Sequence, residues 1–205
     1  MLDVHAPEHG IHGVRDFMLH LLTITVGLLI ALGLEASVEA LHHRHQRQEA
    51  EQKIREEIRT NESSLIAGAP YVLAERKVLL QALQDLEGFA VDKNRQDLGK
   101  LKFVFSEQEI PDAAWRAASS TGVLEYLPYD EVESFSDAYR EQALLQVMEQ
   151  RALEDYLELT PQLDHEPTKE DVPAIISSTR KALGHLNGIL AAGSGTLNSY
   201  KVVLK

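Results

Sequence analysis

Apolar positions along this chain follow two patterns. Near the N-terminus, Phe17 to Leu34 reads FMLHLLTITVGLLIALGL, eighteen residues without a formal charge. As a helix that run rises about 27 Å, close to the roughly 30 Å hydrocarbon core of a bilayer. Further on, apolar residues recur at steps of three and four, the period of amphipathic helices. No other segment is apolar enough to surround a helix that is hydrophobic on nearly all sides. The pattern therefore predicts a transmembrane helix over 17–34 and not a buried core helix. A cleaved signal peptide fits less well, because the flank before the run lacks a Lys/Arg cluster and the run exceeds a usual signal core. The following EASVEALHHRHQ also continues as a good helix former. An uncleaved anchor is expected, behind a short N-terminal tail over 1–16.

Nothing breaks the helix after Leu34. The stretch EASVEALHHRHQRQEAEQKIREEIRTNESS has neither Gly nor Pro. Pairs such as Glu51–Arg55 support it at four-residue spacing. A helical stalk is predicted over 35–66, with its helix running to about Ser63. Within it Ile54, Ile58 and Leu65 form a narrow apolar stripe.

Residues 67–205 are predicted as a helical bundle. One helix runs from Pro70 to about Glu87 with Val72, Leu79, Leu83 and Leu86 at helical spacing. A connector follows, with Leu101–Phe105 read as extended. Asp112 is placed as the N-cap of a short helix that carries Trp115 and ends around Thr121-Gly122. A long helix runs from about Asp130 to Leu159, ending before Pro161. Its apolar face starts with Val132, Phe135 and Tyr139 and continues with Leu144, Met148, Ala152 and Tyr156. The last begins near Lys169, and Val172, Ile176, Thr179, Leu183, Leu186 and Leu190 give it the seam of a coiled coil. Gly193, Ser194 and Gly195 are expected to break it. The fold class is all-α: one N-terminal transmembrane helix continuing into a stalk, with a membrane-anchored helical bundle.

Composition narrows the function. The chain has 205 residues, 25% charged and 44% hydrophobic, which leaves room for one folded domain beside the anchor and excludes wholesale disorder. Its net charge is −12, and from Gln48 onward 27 acidic residues face 17 basic ones. Such a domain is repelled by phosphate backbones, so nucleic acid is not expected as a partner. The absence of cysteine excludes disulfides and thiolate metal sites. Arg15 is the basic residue closest to the apolar run, and Glu35 and Glu39 are the first charges beyond it. With Arg44 and Arg47 further out on that side, the positive-inside count is nearly balanced, and the closer position of Arg15 tips the expectation toward a cytoplasmic N-terminus and a soluble domain outside a bacterial inner membrane.

Candidate contacts lie in the span itself. On a helical wheel His20, Thr23, Gly27 and Ala31 share one side, opposite the Ile54 stripe. Small residues four apart let two helices approach closely in lipid, and an imidazole in hydrocarbon seeks a hydrogen-bond partner. The face is expected to meet a second copy or another membrane protein. The plainer reading is that small residues are common in spans and that His20 snorkels to the headgroups. Histidines also cluster at His5, His9 and His12 before the span and at His42, His43 and His45 after it. Glu39 and His42 have the Glu-x-x-His spacing of di-iron bundles. A di-iron site needs more carboxylates, and the simpler reading is a wet helix face at the headgroups. His20 as a haem or chlorophyll-type ligand has no supporting residue beside it. No catalytic set stands out, and no cofactor is called for.

The stretch RDFMLHLLTITVGLLIALGLEASVEALHHRHQ resembles the N-terminus of a group of uncharacterised bacterial single-span membrane proteins, in which a GLLIAL-type anchor leads into a charged helix. AAWRAASSTGVLEYLPYDEVESFSDAYREQ is similar to a second block of such proteins. The two blocks cover about a third of the chain. The resemblance implies an anchored helical domain and brings no catalytic residues. The expected function is a non-enzymatic membrane-anchored interaction or assembly subunit, acting through its span and its helical domain. Two alternatives are an extracytoplasmic sensor-like domain that binds a small ligand inside the bundle, and a metal- or cofactor-binding membrane protein.

Overall fold

The computed structural model describes residues 13–92, 105, 108–163 and 167–205. Among these residues the chain is all-α. Helix α1 spans Val14–Val91, α2 Ala113–Thr121, α3 Tyr129–Gln162 and α4 Val172–Val203, with a single 3-10 turn at Val123–Tyr126. The extended stretch expected at Leu101–Phe105 lies, apart from Phe105, outside the described residues, as do His5, His9 and His12 of the tail.

The chain divides into two compact units, Met1–Gln48 and Glu49–Lys205. What is described of the first is helix, long and apolar enough to cross a membrane, with none of its apolar window buried. The hydroxyls of Thr23, Thr25 and Ser37 donate to the carbonyls of Leu19, Leu21 and Gly33 at 2.9, 2.8 and 2.7 Å. Each hydroxyl is thereby satisfied within its own helix and needs no water.

The second unit is a three-helix bundle. Residues of α1 that it buries include Ile54, Ile58, Asn61, Leu65, Gly68, Val72, Leu79, Ala82, Leu86 and Phe89, all on one heptad frame of alternating three- and four-residue steps. Helix α3 follows the same rule through Ala138, Gln142, Leu145, Glu149, Ala152 and Leu159. Helix α4 does so through Val172, Ile175, Thr179, Ala182, Leu186 and Ile189, and on to Thr196, Tyr200 and Val203. Such a strict 3.5-residue period is what keeps a seam facing its partners along the whole length of a bundle.

Cross-helix pairs set the directions. Glu57 meets Tyr139 and Asn61 meets Gln142, so α1 and α3 run parallel. Arg55 reaches the carbonyl of Val203, Arg76 reaches Asn187, and Glu87 accepts from Arg180, so α4 runs antiparallel to α1. The ammonium of Lys169 donates to the carbonyl of Asp92 at 2.6 Å, which ties the start of α4 to the end of α1. Ile110 and Pro111, which precede α2, lie beside Asn61 and Gln142. There the carbonyls of Ile110 and Pro111 receive side chains from the bundle.

Several boundaries differ from the sequence expectation. Pro70 does not start a new helix; it lies inside α1, exposed, between Gly68 and Val72, which are both buried. An interior proline loses one helix bond at a cost of roughly 3 kcal/mol. Here the buried seam continues through it, so packing on both sides outweighs that loss. Helix α3 likewise carries Pro161 inside its last turn, ending at Gln162. Gly193-Ser194-Gly195 does not break α4, because Thr196, Tyr200 and Val203 beyond it are buried. The last helix begins at Val172, not Lys169, since the Asp171 carboxylate accepts both the amide and the hydroxyl of Thr168 in a tight turn before it. On α3 the seam passes through Leu145, while Leu144 is exposed.

Candidate functional site

In the first unit, the helix presents His20, Thr23, Gly27 and Ala31 fully to the outside. A side-chain carbon added at Gly27 would meet nothing within 4 Å, so the helix backbone is bare there. The Thr23 hydroxyl is turned back onto Leu19, which leaves its methyl and the neighbouring backbone as the outward surface. Beyond the span, the carboxylate of Glu39 lies 4.0 Å from the ring of His43, one position past His42. The His42 and His43 rings are 6.4 Å apart. Among the described residues no three His, Cys, Asp or Glu side chains converge on a point that would hold a metal ion.

The bundle holds polar groups that the apolar pattern does not reveal. Near one end, Glu57 of α1 accepts a hydrogen bond from the Tyr139 hydroxyl at 2.6 Å and another from the backbone amide of Ala114 at 2.9 Å. That amide is one of the unpaired donors in the first turn of α2, so a carboxylate from α1 caps α2 across the bundle. Asp112 occupies the N-cap position but makes no capping bond, and its carboxylate pairs with Arg116 at 2.9 Å instead. Trp115, partly buried, stacks on the Tyr139 ring at 5.4 Å between centroids. Gly122, at φ +74°, closes α2 in the left-handed conformation that favours glycine. Burial and the Glu57 carboxylate together push the Tyr139 hydroxyl well above the ordinary tyrosine range.

One turn along lies a buried layer of three side chains. The Tyr200 hydroxyl donates to Gln142 Oε1 at 2.5 Å, and the Asn61 amide donates to the same oxygen at 3.2 Å. The Gln142 amide in turn donates to the Ile110 carbonyl at 2.8 Å, and the Asn61 amide to the Pro111 carbonyl at 2.7 Å. These three residues come from α1, α3 and α4, and together they anchor the returning connector. Burial raises the Tyr200 hydroxyl above its usual range as well.

A third group sits on α3 and α4. Asp155 is 2% exposed, yet its carboxylate lies 2.5 Å from Nδ1 of His185 and 3.0 Å from the Lys181 ammonium. Lys181 also meets Glu158 at 3.0 Å. The hydrogen bond to Asp155, joined by Glu158, raises the Lys181 ammonium above its ordinary range. An Asp–His contact is two thirds of a nucleophile-activating triad, but among the described residues no hydroxyl or thiol is hydrogen-bonded to the His185 ring. The group is a buried carboxylate held between an imidazole and an ammonium. Sequence reasoning missed Glu57, Asn61, Gln142, Asp155 and Tyr200. The available signal was the heptad frame, on which Asn61 and Gln142 are polar residues at seam positions.

No known protein family, curated protein or solved structure matches the chain.

Proposed function

We propose that this chain is a non-enzymatic, membrane-anchored interaction or assembly subunit. The observation that carries the reading is a helix segment that is apolar over a bilayer's thickness and entirely uncovered by its own chain. Placing a segment of that length in lipid removes its apolar surface from water over the full thickness of the hydrocarbon core. Arg15 on one flank, and Glu35 and Glu39 on the other, favour an extracytoplasmic bundle on a bacterial inner membrane.

Within the span, the association surface is the side holding His20, Thr23, Gly27 and Ala31. Without a hydrophobic force between helices in lipid, close backbone approach is the main source of attraction, and Gly27 offers the barest backbone on that side. The partner is a second copy or another single-span or multi-span protein. A cysteine replacing Gly27 is expected to give a disulfide-linked dimer or a heterotypic adduct in native membranes under mild oxidation. A cysteine replacing Leu29, on the opposite side of the helix, serves as the comparison and is expected to give little. If the Gly27→Cys chain gives no adduct, the span has no close partner on that side and the association reading fails.

A further inference from the structure

The side of α1 that carries Gly27 and Ala31 does not end where the charge-free run ends. Ala31, Leu34, Val38, Leu41, His45 and Gln48 follow one another at alternating steps of three and four residues. That is a heptad frame, with Ala31, Val38 and His45 at its a positions and Leu34, Leu41 and Gln48 at d. Val38 and Leu41 are the only large apolar residues between Glu35 and Gln48, and both fall on this stripe. They are 67% and 66% exposed, so their own chain leaves them uncovered. The other positions of that stretch hold Glu, Ala, Ser, His, Arg and Gln.

On the anchored reading, this stretch rises out of the hydrocarbon. Along a helix Val38 lies about 6 Å and Leu41 about 10 Å past the end of the apolar run at Leu34. The headgroup layer on each side of a bilayer is roughly 5–8 Å deep, so Leu41 is carried to its outer edge. There, unlike inside the span, the hydrophobic effect itself favours covering an apolar side chain. Copies anchored in one orientation can meet only in parallel. A β-branched residue at a with leucine at d favours two parallel strands, which is the arrangement of Val38 between Leu34 and Leu41. Charge agrees with this. Arg44 holds the g position before His45 and Glu49 the e position after Gln48, and both are exposed. In a parallel pair a g residue faces the e residue five positions further on in the other strand. Arg44 of each copy then meets Glu49 of the other, once on each edge of the seam.

We infer that residues 31–48 are the seam of a parallel two-stranded coiled coil whose other strand is a second copy of this chain. The inference rests on the anchored reading and narrows the partner from any membrane protein to the chain itself. Val38 and Leu41 supply the apolar layers, and the Arg44–Glu49 pairs select a like strand in parallel register. His45, at an a position, sets two imidazoles against each other in the seam. A polar side chain there fixes register and strand number at a cost in stability.

The test is disulfide crosslinking of the full chain in native membranes under mild oxidation. The chain has no cysteine, so single replacements report alone. Leu41→Cys and Val38→Cys are compared with Ala36→Cys, which lies on the opposite side of the helix. The first two are expected to give a product of twice the chain mass, at least tenfold above the yield of the third. With Leu41→Cys in place, Glu49→Arg sets arginine against arginine and is expected to lower that yield at least threefold. Adding Arg44→Glu reverses both charges and is expected to restore it. The inference is overturned if neither seam cysteine crosslinks above Ala36→Cys, as when lipid covers the stripe. It is also overturned if the product has another mass, as with a foreign partner, or if the charge exchange does not restore the yield. Gly27→Cys separates the two readings. An adduct there with none at Val38 or Leu41 overturns the seam and leaves the span contact standing, and the reverse outcome overturns the span contact alone.

Discussion

The Glu57 carboxylate accepts from Tyr139 and from the first turn of α2. Removing an acceptor strands its donors, and hydrogen bonds to a charged group are worth about 1.5–3 kcal/mol. Glu57→Ala is therefore expected to lower the unfolding free energy of the bundle by about 2–3 kcal/mol in a urea titration, whereas Tyr139→Phe lowers it by about 1 kcal/mol. Equal and negligible losses would show that the capping contact contributes nothing. The two buried tyrosines are also expected to set the alkaline limit. Their hydroxyls are raised above the ordinary value near 10. A group raised in the folded state favours folding fully below its unfolded value and loses that contribution as pH climbs past it. Above pH 10 each such tyrosine steepens the decline by up to about 1.4 kcal/mol per pH unit. A chain with Tyr139→Phe and Tyr200→Phe is expected to start less stable but to decline more gently between pH 10 and 11.5 in urea titrations at stepped pH. A decline as steep as the original would mean that other groups set the limit.

Helix α1 and helix α4 show where the elements were legible in the amino-acid pattern and where they were not. Val172, Thr179, Leu183 and Leu186 announce the α4 seam by their steps of three and four, and all four are buried. Ile54, Ile58 and Leu65 do the same on α1. Pro70 and Gly193-Ser194-Gly195 mislead, because local propensity there opposes packing supplied by residues distant in sequence. Leu144 and Leu145 are adjacent and equally apolar, so only the three-dimensional frame decides which one faces inward. The polar seam positions were hidden for a related reason. A search for apolar periodicity passes over Asn61, Gln142 and Glu149, whose burial depends on partners from other helices. Of the candidate site, the proposed span face is a reading of composition and spacing, and the structure adds that its residues are exposed; the polar groups inside the bundle depend on how three helices meet. Glycines give a direct test at this scale. Gly193→Ala is expected to stabilise the bundle by roughly 0.5–1 kcal/mol, since the added methyl meets open space. Gly68→Ala is expected to stabilise it less, because the methyl would take the place of the Gln108 amide and that side chain must move aside. Thermal melts should show the larger upward shift for Gly193→Ala, and an equal or larger upward shift for Gly68→Ala would contradict the packing described at position 68.

For the whole molecule, two properties belong together under the proposed reading. The first unit carries an apolar surface with no cover, and the second is a charged bundle with its own core and with nearly all of the net charge of −12. The bundle has what it needs to fold in water, through its seam and its buried polar layer. The N-terminal segment has what it needs to be stable in lipid, through satisfied hydroxyls and an apolar exterior. The anchored reading therefore rests on residues 17–34, and the measurement that tests it most directly is extraction of isolated membranes at alkaline pH in carbonate. The full chain is expected to stay in the lipid pellet under conditions that release peripheral proteins, and to leave it only with detergent. Recovery of the folded chain in the carbonate supernatant, free of lipid and detergent, would contradict the anchor and the association reading built on it.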